Sequence, residues 1–378
     1  MSDLIASARR FAAETIAPQA AAWEARGGIP RALFAEVGAL GLIGMEVPKA
    51  LGGAGSGFAA KAEICEILAG ADFGVAMAVV NSHNVAKKIA EVCPPEVIAA
   101  FLPDLLSGAR IGCTALTEPT AGSDFSAILT RAEACDGGWR LTGQKAWITN
   151  ATQADTIIVY AQTKAPGDMT GIAAFLVDTQ REGFLRGLDS NSVGLQTCGS
   201  GSFRLQGYLV RENEMIGAPG AAFKSILNEI NGARIYVAAM CCGMLDAALR
   251  LVADYGARRQ AFGQPLNQHQ GWRWILAQAS VDLAGARALT KAAAQALEAG
   301  EDVQLPAAQA KILASRIVGE QLPKLIHAMG AEGLTRAHPL GRHLIGAQFA
   351  SLVDGSTEML LERVAKLMAP TRPKKDQD

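Results

Sequence analysis

From Leu4 to about Gly108 the apolar positions recur at the spacing of amphipathic helices: Leu4, Ala8, Phe11 and Ala12 make one stripe, and Leu33, Phe34, Val37 and Leu40 another. Pro18, Gly27-Gly28 and Gly52-Gly53 punctuate these helices. Near residue 111 the period changes. From there to about 218, short runs rich in Ile, Val and Phe, such as Asp155 to Tyr160, Gly171 to Val177 and Ser202 to Val210, are separated by Gly, Asp, Asn and Ser. That pattern predicts a small β domain. After Gly220 the helical period returns in alanine- and leucine-rich segments, roughly 221–256, 264–299, 306–329 and 340–368, with Gly256, Gly300, Pro306 and Gly330 at the breaks.

This order predicts a mainly α fold with a central β-domain. An N-terminal α-helical domain takes 1–110, a middle β domain 111–218 and a C-terminal four-helix bundle 219–370; the tail 371–378, polar from Lys374 to Asp378, reads as disordered. No internal repeat is visible in the sequence.

At 378 residues, half of them hydrophobic, the chain has enough apolar surface for a large core. A formal net charge of −1, from 35 basic and 36 acidic residues, supplies no field for nucleic acid or an anionic membrane surface. An anionic ligand would therefore need a local pocket of Arg and Lys. The longest uncharged apolar stretch, Ile235 to Leu245, is about half of the ~20 residues that cross a bilayer, and Met1-Ser2-Asp3 opens no basic-then-apolar leader. The expectation is a soluble, cytoplasmic protein. The seven cysteines (Cys65, Cys93, Cys113, Cys135, Cys198, Cys241, Cys242) form no CxxC and no Cys/His ligand spacing, so neither disulfides nor a metal site is expected.

Candidate chemistry lies in four short segments. Asp354-Gly355-Ser356-Thr357 puts a carboxylate on a tight turn before the amphipathic run Met359 to Met368. On local grounds such an aspartate is a turn former or helix cap. Leu116-Thr117-Glu118-Pro119-Thr120-Ala121-Gly122-Ser123-Asp124 is a strand end followed by a turn able to offer N–H groups and hydroxyls to a ligand. In Gly143-Gln144-Lys145-Ala146-Trp147-Ile148-Thr149-Asn150, Trp147 and Ile148 alternate like any half-buried strand. Arg258-Arg259-Gln260-Ala261-Phe262-Gly263 follows the first long C-terminal helix.

Together, in this order and spacing, the four segments resemble the acyl-CoA dehydrogenase family, and the resemblance extends over nearly the whole chain. It implies an FAD enzyme that removes two hydrogens from an acyl-CoA thioester and passes electrons to an electron-transfer flavoprotein. Leu116, Thr117, Gly122, Ser123, Trp147 and Thr149 match positions along the flavin and pyrophosphate, and Ser356 joins them from the late turn. Arg259, Phe262 and Gln270 match a segment that reaches the FAD of a neighbouring subunit, which implies a homotetramer or homodimer. The lack of GxGxxG agrees with a dinucleotide held without a Rossmann turn. Asp354 matches the base that removes the α-proton, and Arg234 matches an arginine that helps to hold it ionised and oriented.

Several positions depart from the family. The base is usually a glutamate, and aspartate withdraws the carboxylate by one bond, about 1.5 Å. Ala233 stands where some relatives place the base, which argues against relocation; nitroalkane oxidases, a related branch, use aspartate. His327 occupies a position where a glutamine often contacts the adenosine side of FAD. The usual arginine and aspartate before the base are out of register, with Arg342 and His343 upstream, and Gln196 replaces a common arginine. The polar island Asn81-Ser82-His83-Asn84, in a region that walls the acyl cavity of relatives, points to a short or polar acyl group. Three rival readings stay open: an oxidase of the nitroalkane type, a dehydrogenase acting on an acyl carrier protein, and a flavin-binding scaffold without turnover.

Overall fold

The computed structural model describes residues 2–368. The tail expected to be disordered, 371–378, lies outside the described residues. Six helices come first: α1 (Ser2–Phe11), α2 (Ala17–Ala25), α3 (Ala32–Ala39), α4 (Phe58–Ala71), α5 (Phe73–Val92) and α6 (Pro95–Leu106). A π-helical turn, Ala12–Ile16, joins α1 to α2, so Pro18 enters a continuing helix instead of breaking one. There the ring sits in the first turn of α2, where a missing N–H costs little.

The β region contains β1 (Gly112–Ala115), β2 (Arg131–Cys135), β3 (Gly138–Ile148), β4 (Thr156–Gln162), β5 (Ile172–Asp178), β6 (Phe184–Asp189), β7 (Gly201–Arg211) and β8 (Met215–Gly217). The strand order is β6-β7-β3-β2-β4-β5-β8, with β1 alongside β4 in parallel. Among the described residues only the pair Arg131↔Gln162 joins β2 to β4, so the sheet divides at that seam. Its halves pack face to face: Leu141, Phe203, Leu205 and Val210 meet Ile157, Val159, Phe175 and Val177 in one core, with the Trp139 and Phe175 rings 5.7 Å apart. This is the physical form of the barrel-like domain. The opposite face of β4 and β5 (Ile158, Tyr160, Ile172, Ala174, Leu176) joins the helical core. Burial on both faces explains why these two strands read as unbroken apolar runs.

The C-terminal helices are α7 (Ala221–Arg258), α8 (Gln270–Glu298), α9 (Gln304–Ala328), α10 (Leu340–Leu352) and α11 (Thr357–Met368); between α7 and α8 lies the hairpin β9 (Gln260–Ala261) and β10 (Gln264–Pro265). The segment expected as one helix over 340–368 is thus two, broken by the turn that carries Asp354. Helix α7 is long and apolar enough by composition to cross a membrane, which corrects the sequence reading, but 72% of that apolar window is buried within the protein. It crosses α4 so closely that a Cβ on Gly243 would lie 1.9 Å from the Glu66 carbonyl oxygen. All seven cysteines are free thiols.

Candidate active site

Asp354 sits on a turn of two left-handed residues, with φ of 54° for Asp354 and 102° for Gly355. Aspartate tolerates this conformation better than most residues, and glycine adopts it freely. Two cations, the buried Lys311 and the half-buried Arg234, fix the turn through its main chain. Lys311, from the middle of α9, donates from Nζ to the carbonyls of Val353 and Gly355. Arg234, from α7, donates from Nε to the Asp354 carbonyl at 3.0 Å and from a terminal nitrogen to Asn231 Oδ1 at 2.8 Å. Three successive carbonyls are therefore held, while the carboxylate lines the cavity beside them.

The sequence reading gave Arg234 the task of orienting Asp354 and keeping it ionised. The structure assigns the orientation to the backbone, and Lys311 shares it. Burial raises the Asp354 pKa above the usual carboxylate value, against the pull of Lys311 and Arg234. Burial likewise lowers the Arg234 pKa and brings that of Lys311 down to about 8. Ser356 accepts from the Met359 N–H at 3.4 Å, as a cap at the start of α11.

The cavity has a volume of about 1300 Å³, above the ~1,000 Å³ at the upper end of small-molecule sites. Leu116, Thr117, Gly122, Ser123, Trp147, Thr149, Arg234, Asp354 and Ser356 all line it, so sequence positions more than two hundred residues apart converge on one space. A buried ion pair ties the segment Leu116 to Glu118 to strand β3. Lys145 donates to Glu118 at 2.8 Å and to the Leu116 carbonyl at 2.9 Å. Glu118 also accepts from the N–H groups of Leu129 (2.6 Å) and Thr130 (2.9 Å). Burial pushes the Lys145 pKa down to about 8; it also opposes ionisation of Glu118, yet Lys145 and these N–H groups hold that carboxyl below its ordinary value.

Strand alternation fails at Trp147. Its φ is 55° and the β3–β7 register shifts between Lys145 and Ile148, so the indole is 60% exposed while Lys145, Ala146 and Ile148 are buried. Asn150 anchors the end of this strand by donating to the carbonyls of Ala78 (2.8 Å) and Gly112 (3.0 Å).

These residues fit a flavin dinucleotide. The exposed face of Trp147 offers an apolar surface, and the N–H groups of Gly122 and Ser123 have no acceptor among the described residues. Free N–H groups in a Gly-Ser turn suit phosphate oxygens.

Arg259, Phe262, Gln270 and His327 do not line the cavity of their own chain. All four are exposed. Phe262 is 97% exposed at the tip of the β9–β10 hairpin. Arg342 braces Asp72 at 3.2 Å, and Asp72 caps α5 at Val75 and accepts from Thr197 at 2.6 Å. It is a structural tie and does not replace the family's pair before the base. Gln196 donates to the Ser192 carbonyl at 2.9 Å. Sequence reasoning missed Lys311, Lys145 and the buried pair of Lys61 with Glu46. Lysines within apolar helical or strand segments were the available signal.

Sequence and structure comparisons agree. The chain matches the acyl-CoA dehydrogenase N-terminal domain over residues 2–109, the middle domain over 113–208 and the C-terminal domain over 221–369. It is 32% identical to the mitochondrial short-chain specific acyl-CoA dehydrogenase of Homo sapiens over 358 residues, covering 94% of this chain and 87% of that one. The structure of butyryl-CoA dehydrogenase from Megasphaera elsdenii superposes with a TM-score of 0.92 at 29% identity, over 97% of each chain. A glutaryl-CoA dehydrogenase from Mycobacterium smegmatis, in complex with FADH2, superposes with a TM-score of 0.91 at 26% identity, over 99% of this chain and 95% of that one.

Proposed function

This chain belongs to the acyl-CoA dehydrogenase family, and we propose that it is an FAD-dependent oxidoreductase forming an α,β-enoyl thioester from a short acyl-CoA, with Asp354 as base. The observation that carries this reading is the Asp354 carboxylate in the same cavity as Leu116, Thr117, Gly122, Ser123, Trp147 and Thr149, on a turn clamped at three consecutive carbonyls. Asp354 takes the proton from the α-carbon, and the C–H electron pair becomes the new α,β double bond as a hydride departs from the β-carbon. FAD, when bound, accepts that hydride. Trp147 and Thr149 would hold the flavin ring, and Gly122 and Ser123 the pyrophosphate. A carboxylate whose pKa is raised by burial is a stronger base than one in water, which suits the weak acidity of a thioester α-carbon.

The Lys311 and Arg234 clamp fixes the backbone that carries the shorter aspartate. A misplacement of about 1 Å at such a base costs on the order of a hundredfold in rate, so the clamp is part of the catalytic geometry. Electrons leave to an electron-transfer flavoprotein. Arg259, Phe262 and Gln270 reach the FAD of a neighbouring subunit in a homodimer or homotetramer, and His327 would contact the adenosine side of FAD. The site lies in a soluble, cytoplasmic protein.

The test is an anaerobic titration of the purified flavoprotein with acyl-CoA thioesters, followed by the visible flavin spectrum. Bleaching by a short acyl-CoA is expected. A flavin that dithionite reduces and no thioester bleaches would refute the reading. The aspartate itself favours one second reading, an oxidase of the nitroalkane type; rapid oxygen uptake with a nitroalkane would select it.

A further inference from the structure

Beyond Asp354, the cavity wall formed by α4, α5 and α7 is polar where an alkyl chain would call for apolar side chains. Lys61, on α4, is only 4% exposed and lines the cavity. Its Nζ lies 2.8 Å from Glu46 Oε2 and 2.8 Å from Asn84 Oδ1. An ammonium has three N–H donors. The rings of Phe58 and Tyr236, both in the cavity wall, stand 5.5 and 5.3 Å from the same nitrogen. Tyr236 accepts from Asn84 Nδ2 at 3.3 Å, and its own O–H has no acceptor among the described residues. Tyr236 lies two residues past Arg234 on α7, close enough to Asp354 for that carboxylate to help raise the phenol pKa, after burial. Tyr236, Asn84, Lys61 and Glu46 thus form one connected chain of polar groups that begins at Tyr236.

The island Asn81 to Asn84 lies inside helix α5. Asn81 and Ser82 accept from the N–H groups of Thr114 and Gly112 and so hold β1. His83 approaches the Ile43 carbonyl at 2.8 Å and Glu46 at 2.9 Å. Burial, and after it Lys61, lower the ring's pKa against the pull of Glu46 and the Ile43 carbonyl. Glu46 stays well below the usual carboxylate range despite burial, held by Lys61, His83 and Lys87. Lys87 is 3.0 Å from Glu46 and 3.7 Å from Glu91. Lys61 and Lys87 match Glu46 and Glu91, so the cluster carries at least as much positive as negative charge. Its unspent donors are a Lys61 N–H, the Tyr236 O–H and the second Asn84 amide N–H.

We propose that this pocket takes a short acyl group ending in an oxygen acceptor, a hydroxyl or a carboxylate, bound by Lys61, Asn84 and Tyr236. The inference rests on the dehydrogenase reading for the position of the thioester and adds the chemistry of the distal end. A site built of buried donors penalises a methyl terminus, because the donors then lose water without gaining a partner.

The test uses full-length, flavin-loaded Asp354→Asn protein, in which the thioester stays intact. Calorimetry gives dissociation constants for pentanoyl-, 5-hydroxypentanoyl- and glutaryl-CoA. At least one oxygen-terminated thioester should bind about tenfold or more tightly than pentanoyl-CoA. The winning arm tells a neutral acceptor from an anion. Adding Tyr236→Phe, which removes a single oxygen, or Lys61→Met should bring that ratio toward one. Equal or tighter binding of pentanoyl-CoA would overturn the proposal, as would a ratio that neither substitution changes. Failure of the dehydrogenase reading gives a different result: the wild-type flavin stays oxidised with all three thioesters while the binding preference persists.

Discussion

At the residue scale, the proposed chemistry rests on one carboxylate, Asp354, on a turn whose backbone carbonyls Lys311 and Arg234 hold. Asp354→Asn keeps the shape and removes the base, so the catalytic rate should fall by about two to four orders of magnitude with flavin content unchanged. Lys311→Met leaves the carbonyls of Val353 and Gly355 without a donor. Each costs about 1–3 kcal/mol if it stays buried, and a loosened turn should lower the rate together with the melting temperature. The pH profile separates the two effects. Lys311 lowers the Asp354 pKa, so its removal should move the acid limb of kcat/KM to higher pH; a limb that stays in place would show that Lys311 acts on stability alone. Asp354 was legible because a Gly-Ser-Thr turn before an amphipathic helix stands out and the resemblance gives it a role. Lys311 was not. One lysine in an alanine-rich helix reads as a solvated face until the fold shows that face buried.

At the element scale, the β1 and β3 ends and the loop between them act as one unit because Lys145 and Glu118 tie them together. Breaking a buried ion pair from one side leaves an uncompensated charge at a cost of about 3–5 kcal/mol. Lys145→Ala should therefore lower the melting temperature and release flavin, measured as the flavin-to-protein absorbance ratio. A variant that melts lower but keeps full flavin would show that the pair serves the sheet and not the cofactor site. Strands β4, β5 and β7 were readable to within two residues, since their burial makes continuous or alternating apolar runs. The Trp147 bulge was not, because a left-handed tryptophan leaves no mark in periodicity. The break between α10 and α11 was also hidden from periodicity, although the Asp-Gly pair marked the turn itself.

At the scale of the whole molecule, the order of helices, strands and helices followed from where the hydrophobic period changed, and it accounts for the architecture. What composition did not reveal is how an uncharged stretch in α7 is covered; packing against α4, α8 and α9 does that. Helix α8 keeps a face with Trp274 and Val281 more than 60% exposed, and Phe262 stands out almost fully at the hairpin tip. A single chain leaves this surface uncovered, in keeping with assembly through α8 and the hairpin. Trp274→Asp should shift light-scattering mass toward the monomer and reduce bound flavin. A variant that stays assembled would place the interface elsewhere.

The central claim is that Asp354 removes the α-proton in a cavity shared with flavin. Single-turnover mixing of oxidised wild-type and Asp354→Asn proteins with one bleaching acyl-CoA, under anaerobic conditions, measures it most directly. The wild-type flavin should be reduced rapidly; the Asn variant should bind the thioester, shift its flavin spectrum and remain oxidised. Flavin reduction at wild-type rate in the Asn variant would contradict the assignment and move the base to another residue.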